Sequence, residues 1–143
     1  MAEGATSTRV MELEVISPDR EVYRGRIRSI VFPGADGFFG VLPGHAPMIS
    51  LVEPGVARLV EEDGSVRFLA LSRGFMEVRR DELSFVVDAG EKAEEIDEAR
   101  AQAALQRARE RLKRRSDPAI DVARAEFAMR RALARLRARK GTL

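Results

Sequence analysis

The amino-acid composition of this 143-residue chain changes abruptly near residue 97. Residues 1–90 contain twelve of the thirteen valines, six of the seven phenylalanines and ten of the eleven glycines, whereas twelve of the twenty alanines lie after position 98. Valine and phenylalanine favour strands, and alanine favours helices. The composition therefore predicts an α+β protein, in which a β domain is followed by an α-helical domain.

The charge follows the same division. Residues 1–97 carry a formal charge of −7 and residues 98–143 carry +9, so the net charge of +2 conceals two oppositely charged halves. The chain has no cysteine, a single histidine, His45, and no long apolar run. These features argue against a disulfide-stabilised secreted protein, a thiol enzyme, a histidine-rich metal site and a transmembrane protein.

The first half has the pattern of a β domain. Residues 1–10 are small, polar and without periodicity, so we expect a flexible N-terminal extension. Over residues 11–90, short runs of apolar residues recur about every ten residues, and turn signals such as Asp63-Gly64 separate them. Eight or more short strands in this arrangement predict an antiparallel β-sandwich or a flattened barrel.

Residues 91–143 have helical periodicity instead and predict an antiparallel two-helix hairpin. A break at Ser116-Asp117-Pro118 separates the helices, and we predict Asp117 as the N-cap and Pro118 as the first helical residue of the second helix. The second helix is predicted to end near Lys140-Gly141. The apolar positions that define the two helical faces are Ala101, Leu105, Ala108 and Leu112, followed by Val122, Ala125, Met129, Ala132 and Leu136.

Enzyme signatures are missing from the sequence. It contains no phosphate-binding G-x-x-x-x-G-K-[ST] loop, no G-x-S-x-G nucleophile elbow and no EF-hand spacing. A serine triad would have to use His45, which lies in the proline-rich run P-G-H-A-P, and such a rigid loop fits a structural histidine better. We therefore predict a protein that is not an enzyme, with no catalytic residues and no metal site.

The arginines of the hairpin are the most informative polar residues. Arg100 and Arg107 share one helical face, and Arg124, Arg131 and Arg135 share another. Together they could bind a polyphosphate or a carboxylate cluster, although composition alone favours a solvated basic face. Nucleic-acid binding is a further alternative, but the helices contain a single aromatic residue and the β half is acidic, which would repel a phosphate backbone.

Three motifs resemble a known family. Residues 37–47, GFFGVLPGHAP, with Pro54-Gly55 beyond them, closely resemble the epsilon subunit of F-type ATP synthases. Residues 72–78, SRGFMEV, are similar to a run in which that family usually shows G-G-F-x-E-V, and residues 96–101, IDEARA, resemble its I/L-D-x-x-R-A motif. The resemblance covers residues 11–138 in the expected order, and the P-G-H-A-P run is its most specific part.

The resemblance implies a subunit of the rotating central stalk, at the cytoplasmic face of the bacterial cell membrane. Its sandwich would dock on the gamma subunit and the membrane-embedded c-ring, and so help couple proton flow to ATP synthesis. Its hairpin would either fold down on the sandwich or extend beside gamma. In the extended state it would inhibit ATP hydrolysis by placing basic side chains against acidic segments of the catalytic alpha and beta subunits.

Some bacterial members of the family bind ATP as a regulatory ligand on the folded hairpin, which holds it in the non-inhibitory state. By this resemblance, Asp97 would accept hydrogen bonds from the adenine amino group while arginines bind the phosphates. The alternative is that Asp97 and Arg100 only stabilise the start of the helix. The positions that match this ATP site are Ile96, Asp97, Arg100, Ala101, Arg107, Arg124, Arg131 and Arg135, with Glu91 as a less close match.

One departure from the family concerns the loop implied to dock on the rotor. At the position of Phe38 the family often has an acidic or polar residue that approaches the c-ring. Either the contact is apolar in this protein, or Phe38 packs elsewhere. The residues implied in docking on the rotor are Phe38, Phe39, Pro43, Gly44, His45, Ala46 and Pro47.

The runner-up function is a binding module whose basic hairpin recognises another acidic protein or nucleic acid.

Overall fold

A computed structural model describes residues 9–143. Residues 1–8, most of the predicted N-terminal extension, lie outside the described residues. The described chain has nine strands, a short 3-10 turn (Ala93–Glu95) and two helices, which confirms the predicted α+β fold of a sandwich followed by a helical hairpin. The strands are β1 (Met11–Ile16), β2 (Glu21–Gly34), β3 (Gly37–Val41), β4 (Met48–Val52), β5 (Gly55–Glu61), β6 (Val66–Leu71), β7 (Gly74–Arg79), β8 (Glu82–Val87) and β9 (Gly90–Lys92), and the helices are α1 (Glu98–Lys113) and α2 (Val122–Lys140).

The strands form one continuous hydrogen-bonded surface that closes on itself. Their order is β1-β8-β7-β4-β2-β5-β6-β9, with β3 added to β2 and a further pairing between β1 and β2. The 14-residue β2 takes part in both layers, because its first half pairs with β1 and its second half pairs with β3 and β5. The pairing of β1 with β8 is parallel, unlike all the other pairings in the described chain. Turn signals could not indicate it, because it joins strands about 70 residues apart.

The core lies between the two layers of the sandwich. Alternate residues of β1, namely Met11, Leu13 and Val15, point inward and are almost fully buried. Phe32 of β2 is also fully buried and contacts Phe85 of β8 edge to face, with ring centroids 5.2 Å apart. Such aromatic pairs stabilise a fold beyond the apolar area that they bury.

The hairpin is folded onto the outer face of β5 and β6. Val56 and Ala70 of these strands pack with Ala134 and Ala138 of α2 and with Ile96, which precedes α1. Helix α1 packs mainly on α2, through buried residues that include Ala101, Leu105 and Ala108. Because alanine removes little area from water, the contact between the hairpin and the sandwich is close but weak for its length.

The predicted start of α2 is wrong. The helix begins at Val122, and its N-cap is Asp121, whose side chain accepts a hydrogen bond from the backbone N–H of Arg124 at 3.0 Å. Asp117 instead closes a separate turn, since its side chain accepts the N–H of Ala119 at 2.9 Å. The same residue type caps both structures, so composition alone did not distinguish the turn from the helix start. The predicted end is confirmed, because Gly141 adopts φ +76° just after Lys140.

The corrected cap leads to a stability prediction. Asp121→Ala is expected to lower the free energy of unfolding by about 1 kcal/mol, because it leaves an N–H of the first turn without its acceptor. Asp117→Ala is the matched control and should cost less, since it removes a turn contact outside the helix. Denaturant titration followed by far-ultraviolet circular dichroism measures both variants. An equal or larger loss for Asp117→Ala would contradict this assignment of the cap.

Candidate functional site

Ion pairs anchor the segment that leads into the hairpin. The guanidinium of Arg20 donates to both carboxylate oxygens of Glu95 at 3.1 Å, and Arg67 donates to Glu94 at 3.1 Å. The Arg20 hydrogen bond, together with the backbone N–H of Lys92, lowers the pKa of Glu95. These pairs are largely exposed, so each contributes little to stability, but together they direct the chain toward the start of α1.

The structure assigns packing and capping roles to three candidate ATP-binding residues of the first helix region. Ile96 and Ala101 are buried, with 5% and 1% of their surface exposed. The side chain of Asp97 is the N-cap of α1 and accepts the backbone N–H of Arg100 at 3.0 Å. Arg100 and Arg107 are exposed residues. Because the Asp97 side chain binds the backbone N–H of Arg100, Asp97 stabilises the helix start without contacting the Arg100 guanidinium.

Three of the candidate residues converge at the junction between α2 and the sandwich. Arg135 donates to Glu91 at 2.5 Å, and these two residues line a small cavity with Arg131 and Ser72. The cavity volume is about 110 Å³, whereas sites for small molecules usually occupy roughly 300–1,000 Å³. The candidates that do not line this cavity are Ile96, Asp97, Arg100, Ala101, Arg107 and Arg124.

A second contact between α2 and the sandwich was not anticipated from the sequence. Arg130 of α2 donates to Glu53 in the β4–β5 turn at 3.3 Å. The guanidinium carbons of Arg73 and Arg130 lie 4.5 and 5.5 Å from the centroid of the Phe127 ring. Phe127 is the one aromatic residue of the helical half, and this is the only sequence signal that could have indicated the contact. We call Glu53, Arg73, Phe127 and Arg130 the Phe127 clamp.

The loop between β3 and β4 is held by a carboxylate of a neighbouring turn. The backbone N–H of Gly44 donates to Asp81 at 2.7 Å, and the other carboxylate oxygen of Asp81 accepts from Arg9 at 2.7 Å. These two hydrogen bonds lower the pKa of Asp81, with the Gly44 contact making the larger contribution. Gly44 has φ +86°, a conformation that favours glycine. The loop therefore has a defined shape.

The two phenylalanines of β3, which precedes this loop, point in different directions. The ring of Phe39 packs on the sandwich core and contacts the ring of His45, with the two ring centroids 5.8 Å apart. His45 Nδ1 lies 2.6 Å from the carbonyl oxygen of Ala46. Phe38 is 58% exposed, so it does not pack into the core of this chain. Pro43 is partly exposed, and Pro47 is exposed.

An apolar patch covers the outer face of β4, β7 and β8. It consists of Ile49 and Leu51 of β4, Phe75 of β7 and Val86 of β8, each at least half exposed. The strand register places Phe75 opposite both Leu51 and Val86, so the side chains are neighbours. Contiguous exposed apolar residues of this kind mark interaction surfaces. In the sequence, this surface is indicated by the apolar residues on both faces of strand β4.

Elsewhere in the described chain, a groove of about 650 Å³ runs over β1, β2, β7 and β8. Acidic and basic side chains such as Glu12, Arg24 and Arg79 line it together. Within residues 9–143 no group of three or more acidic or histidine side chains could hold a metal ion. The same residues include no helix that is both long and apolar enough to cross a membrane.

Comparison with known proteins matches both parts of the fold. The family profile described as ATP synthase, Delta/Epsilon chain, beta-sandwich domain matches residues 10–93, and the profile of the long alpha-helix domain of the same chain matches residues 94–140. The ATP synthase epsilon chain of Pelotomaculum thermopropionicum is 44% identical over 77% of this chain and 81% of its own length. Those of Carboxydothermus hydrogenoformans and Bacillus subtilis are 49% and 41% identical, over 74% and 76% of this chain and 78% and 82% of their own lengths.

Solved structures show the same fold at lower sequence identity. A chain of the Euglena gracilis mitochondrial ATP synthase superposes with a TM-score of 0.73 at 24% identity, covering 85% of this chain and 76% of that chain. A chain from the central stalk and c-ring of the Tetrahymena thermophila mitochondrial ATP synthase superposes with a TM-score of 0.52 at 12% identity, covering 95% of this chain and 98% of that chain. The profiles span nearly all described residues and the relatives exceed 40% identity over most of the chain, so this protein belongs to the family of ATP synthase epsilon chains.

Proposed function

We propose that this chain is a non-catalytic subunit of the rotating central stalk of an F-type ATP synthase, where it couples proton flow to ATP synthesis and inhibits ATP hydrolysis through a mobile hairpin. Family membership supports the place in the complex. The observation that carries the inhibitory role is the way α2 is attached to the sandwich, through small alanine side chains and two partly exposed ion pairs, Arg130–Glu53 and Arg135–Glu91. Such contacts stabilise the folded-down state only modestly, so the hairpin can detach as a unit.

The sandwich offers two surfaces for the proposed partners. The apolar patch on β4, β7 and β8 fits the gamma subunit, because burying such side chains favours association. Strand β3 and the loop that follows it fit the c-ring, where exposed Phe38 of β3 and Leu42 of the loop would make an apolar contact. These contacts would hold the chain peripherally at the cytoplasmic face of the membrane. Nucleic acid is not among the proposed partners, because the sandwich half of the chain is acidic.

Introduction of a charge into the apolar patch tests the docking surface. Phe75→Asp is expected to abolish co-purification with gamma, because a carboxylate would be buried without a partner in the interface. Val66→Asp is the matched control: Val66 is 52% exposed on β6, outside the patch, and its substitution should leave co-purification intact. Equal effects of both substitutions, in chains with unchanged circular dichroism, would refute the assignment of this surface.

Removal of the hairpin tests the inhibitory role. Deleting residues 98–143 keeps β9 and the 3-10 turn in place, and the complex reconstituted with the shortened chain should hydrolyse ATP faster than the complex with the full chain. The physical reason is that α2 supplies the basic side chains proposed to contact acidic segments of the alpha and beta subunits. Unchanged hydrolysis, with gamma still bound, would refute inhibition but leave the stalk assignment standing.

ATP is proposed as a regulatory ligand that holds the hairpin down. The support is the convergence of Arg131, Arg135 and Glu91 at the junction of α2 and the sandwich. Because the cavity is smaller than a nucleotide site, binding requires side-chain rearrangement, in which a phosphate replaces the Glu91 carboxylate on Arg135. Arg100, Arg107 and Arg124 would reach the ligand from the exposed faces of the helices.

Titration calorimetry of the full chain with ATP checks this proposal. Arg131→Ala is expected to weaken binding about tenfold or more, the loss typical of a charge-assisted hydrogen bond. Arg109→Ala is the control, because Arg109 is an exposed arginine of α1 that makes no ion pair with other described residues. Absence of any heat on addition of ATP would overturn regulatory binding.

A further inference from the structure

The Phe127 clamp joins α2 to two turns at one end of the sandwich. Gly55 at the start of β5 pairs with Leu71 at the end of β6, so the β4–β5 turn and the β6–β7 turn lie side by side. The first turn carries Glu53 and the second carries Arg73. The N-terminal half of α2 contacts both turns, through Arg130 and Phe127 respectively.

The contacts of the clamp depend on one another. Phe127 and Arg130 are separated by three positions on α2 and therefore share a face. The guanidinium groups of Arg73 and Arg130 both lie over the Phe127 ring, where the electron-rich face attracts cations. Glu53 forms an ion pair with Arg130, in which a guanidinium nitrogen and a carboxylate oxygen are 3.3 Å apart. Removing the ring would take away the one group that both guanidinium groups contact.

The clamp lies apart from the alanine contact of the hairpin. Ala134 and Ala138 pack on the sandwich about two to three helical turns further along α2, next to Val56 and Ala70. The alanine contact is apolar and uniform, whereas within the clamp Phe127 and Arg130 of α2 contact particular side chains of the sandwich, Arg73 and Glu53. The clamp therefore supplies a specific attachment in the N-terminal half of α2, whereas the α2 residues of the apolar contact, Ala134 and Ala138, lie in its C-terminal half.

We propose that Arg73 is a positioning residue that holds the hairpin on the sandwich through Phe127 and so sets the balance between the attached and detached states. The consequence for hydrolysis rests on the proposed inhibitory function, but the attachment itself does not. A rival role for Arg73 is to stabilise its own turn through Asp88, whose carboxylate lies 3.6 Å from the Arg73 Nε. This contact is well exposed and does not involve α2.

The absence of cysteine from the chain allows a direct test. Ala70→Cys places a thiol under the hairpin, and Ala57→Cys places one inside the sandwich, on the neighbouring strand β5 and within the other core cluster. Both alanines are buried. The rate at which each thiol reacts with a soluble alkylating reagent reports opening of its own site, so the pair separates detachment of the hairpin from unfolding of the sandwich.

Arg73→Gln is expected to raise the labelling rate at position 70 about two- to fivefold, the loss typical of a partly exposed cation–π contact, and to leave the rate at position 57 unchanged. Phe127→Ala removes both ring contacts and should raise the rate at position 70 further. Arg73→Lys retains a cation, so its labelling rate at position 70 should lie between those of the native chain and Arg73→Gln. Arg109→Gln is the matched control and should change neither rate.

Several outcomes would overturn the proposal. An unchanged rate at position 70 in Arg73→Gln does so, and so does an equal rise at both positions, which means general destabilisation. If a reporter substitution prevents folding, amide hydrogen exchange over α2 in the cysteine-free chain replaces it, with the same expected order of variants. In the reconstituted complex, faster labelling with unchanged hydrolysis would support the clamp but count against the inhibitory function.

Discussion

Gly74→Ala is expected to lower the free energy of unfolding by about 3 kcal/mol or more, or to prevent folding altogether. A β-carbon at this position would lie 2.0 Å from the carbonyl oxygen of Val86 and 2.7 Å from the Cα of Val87. Both atoms belong to the backbone of β8, which pairs with β7 through Gly74 and Val87. They cannot move away without breaking that pairing. A thermal melt of the purified chain should show a drop of roughly 10 °C.

Gly40→Ala is the matched control for this prediction. A β-carbon at Gly40 would have its nearest neighbours 3.9 Å away, at the Ile30 oxygen and a Val31 methyl, which is ordinary contact. This substitution should therefore change stability much less. If Gly74→Ala melts at the same temperature as the native chain, the close approach of β7 to β8 in this structure is wrong.

The close approach at Gly74 also bears on function. Gly74 precedes Phe75 of the apolar patch and follows Arg73 of the Phe127 clamp. A separation of β7 from β8 would disturb both surfaces together. We expect any Gly74→Ala chain that does fold to lose co-purification with gamma, because Phe75 and Val86 would no longer be held as neighbours.

Phe32→Ala is expected to destabilise the sandwich by about 3–5 kcal/mol, the usual cost of removing a large aromatic side chain from a core. Phe32 is fully buried, contacts Phe85 edge to face and lies 5.7 Å from the ring of Phe39. The fixed strands around it cannot close the resulting cavity. Denaturant unfolding measures the loss, which is a large part of the 5–15 kcal/mol typical of a whole protein.

Phe38→Ala is the control for the core prediction. Phe38 is 58% exposed on the neighbouring strand, so its removal should change stability by no more than about 0.5 kcal/mol. Phe85→Ala and the double variant with Phe32→Ala complete a cycle, and a coupling energy near zero would contradict the edge-to-face contact. A similar loss for Phe38→Ala and Phe32→Ala would contradict the burial pattern of β2 and β3.

Most of the secondary structure was predictable because its signals are local. Strands β4 and β6, for example, coincide with two of the short apolar runs in the sequence, MISLV and VRFLAL, because turn residues end each run. Strand β9 was missed because it has only three residues and exists through its pairing with β6. The start of α2 was misplaced because Asp117 and Asp121 are both good caps, and only the hydrogen bonds show which one begins the helix.

The candidate site was predictable in composition but not in arrangement. The sequence indicated that arginines of the two helices share faces, yet of the matched positions only Arg131, Arg135 and Glu91 line one cavity. Arg73 and Phe127 were not paired in advance, because 54 positions separate them and no periodic pattern connects a strand turn with a helix face. Their contact depends on how the hairpin lies across β5 and β6.

The sequence by itself determined the two-part architecture of this protein, its charge division and its family, because composition, periodicity and motifs are properties of neighbouring residues. Only the tertiary structure decided which side chains hold the two parts together. The hairpin lies on the sandwich through Ala134, Ala138 and the Phe127 clamp, while Phe75 and its neighbours stay exposed on another face. Contacts between distant segments depend on strand register and on helix placement. Both are fixed only when the residues of the two apolar cores are buried together.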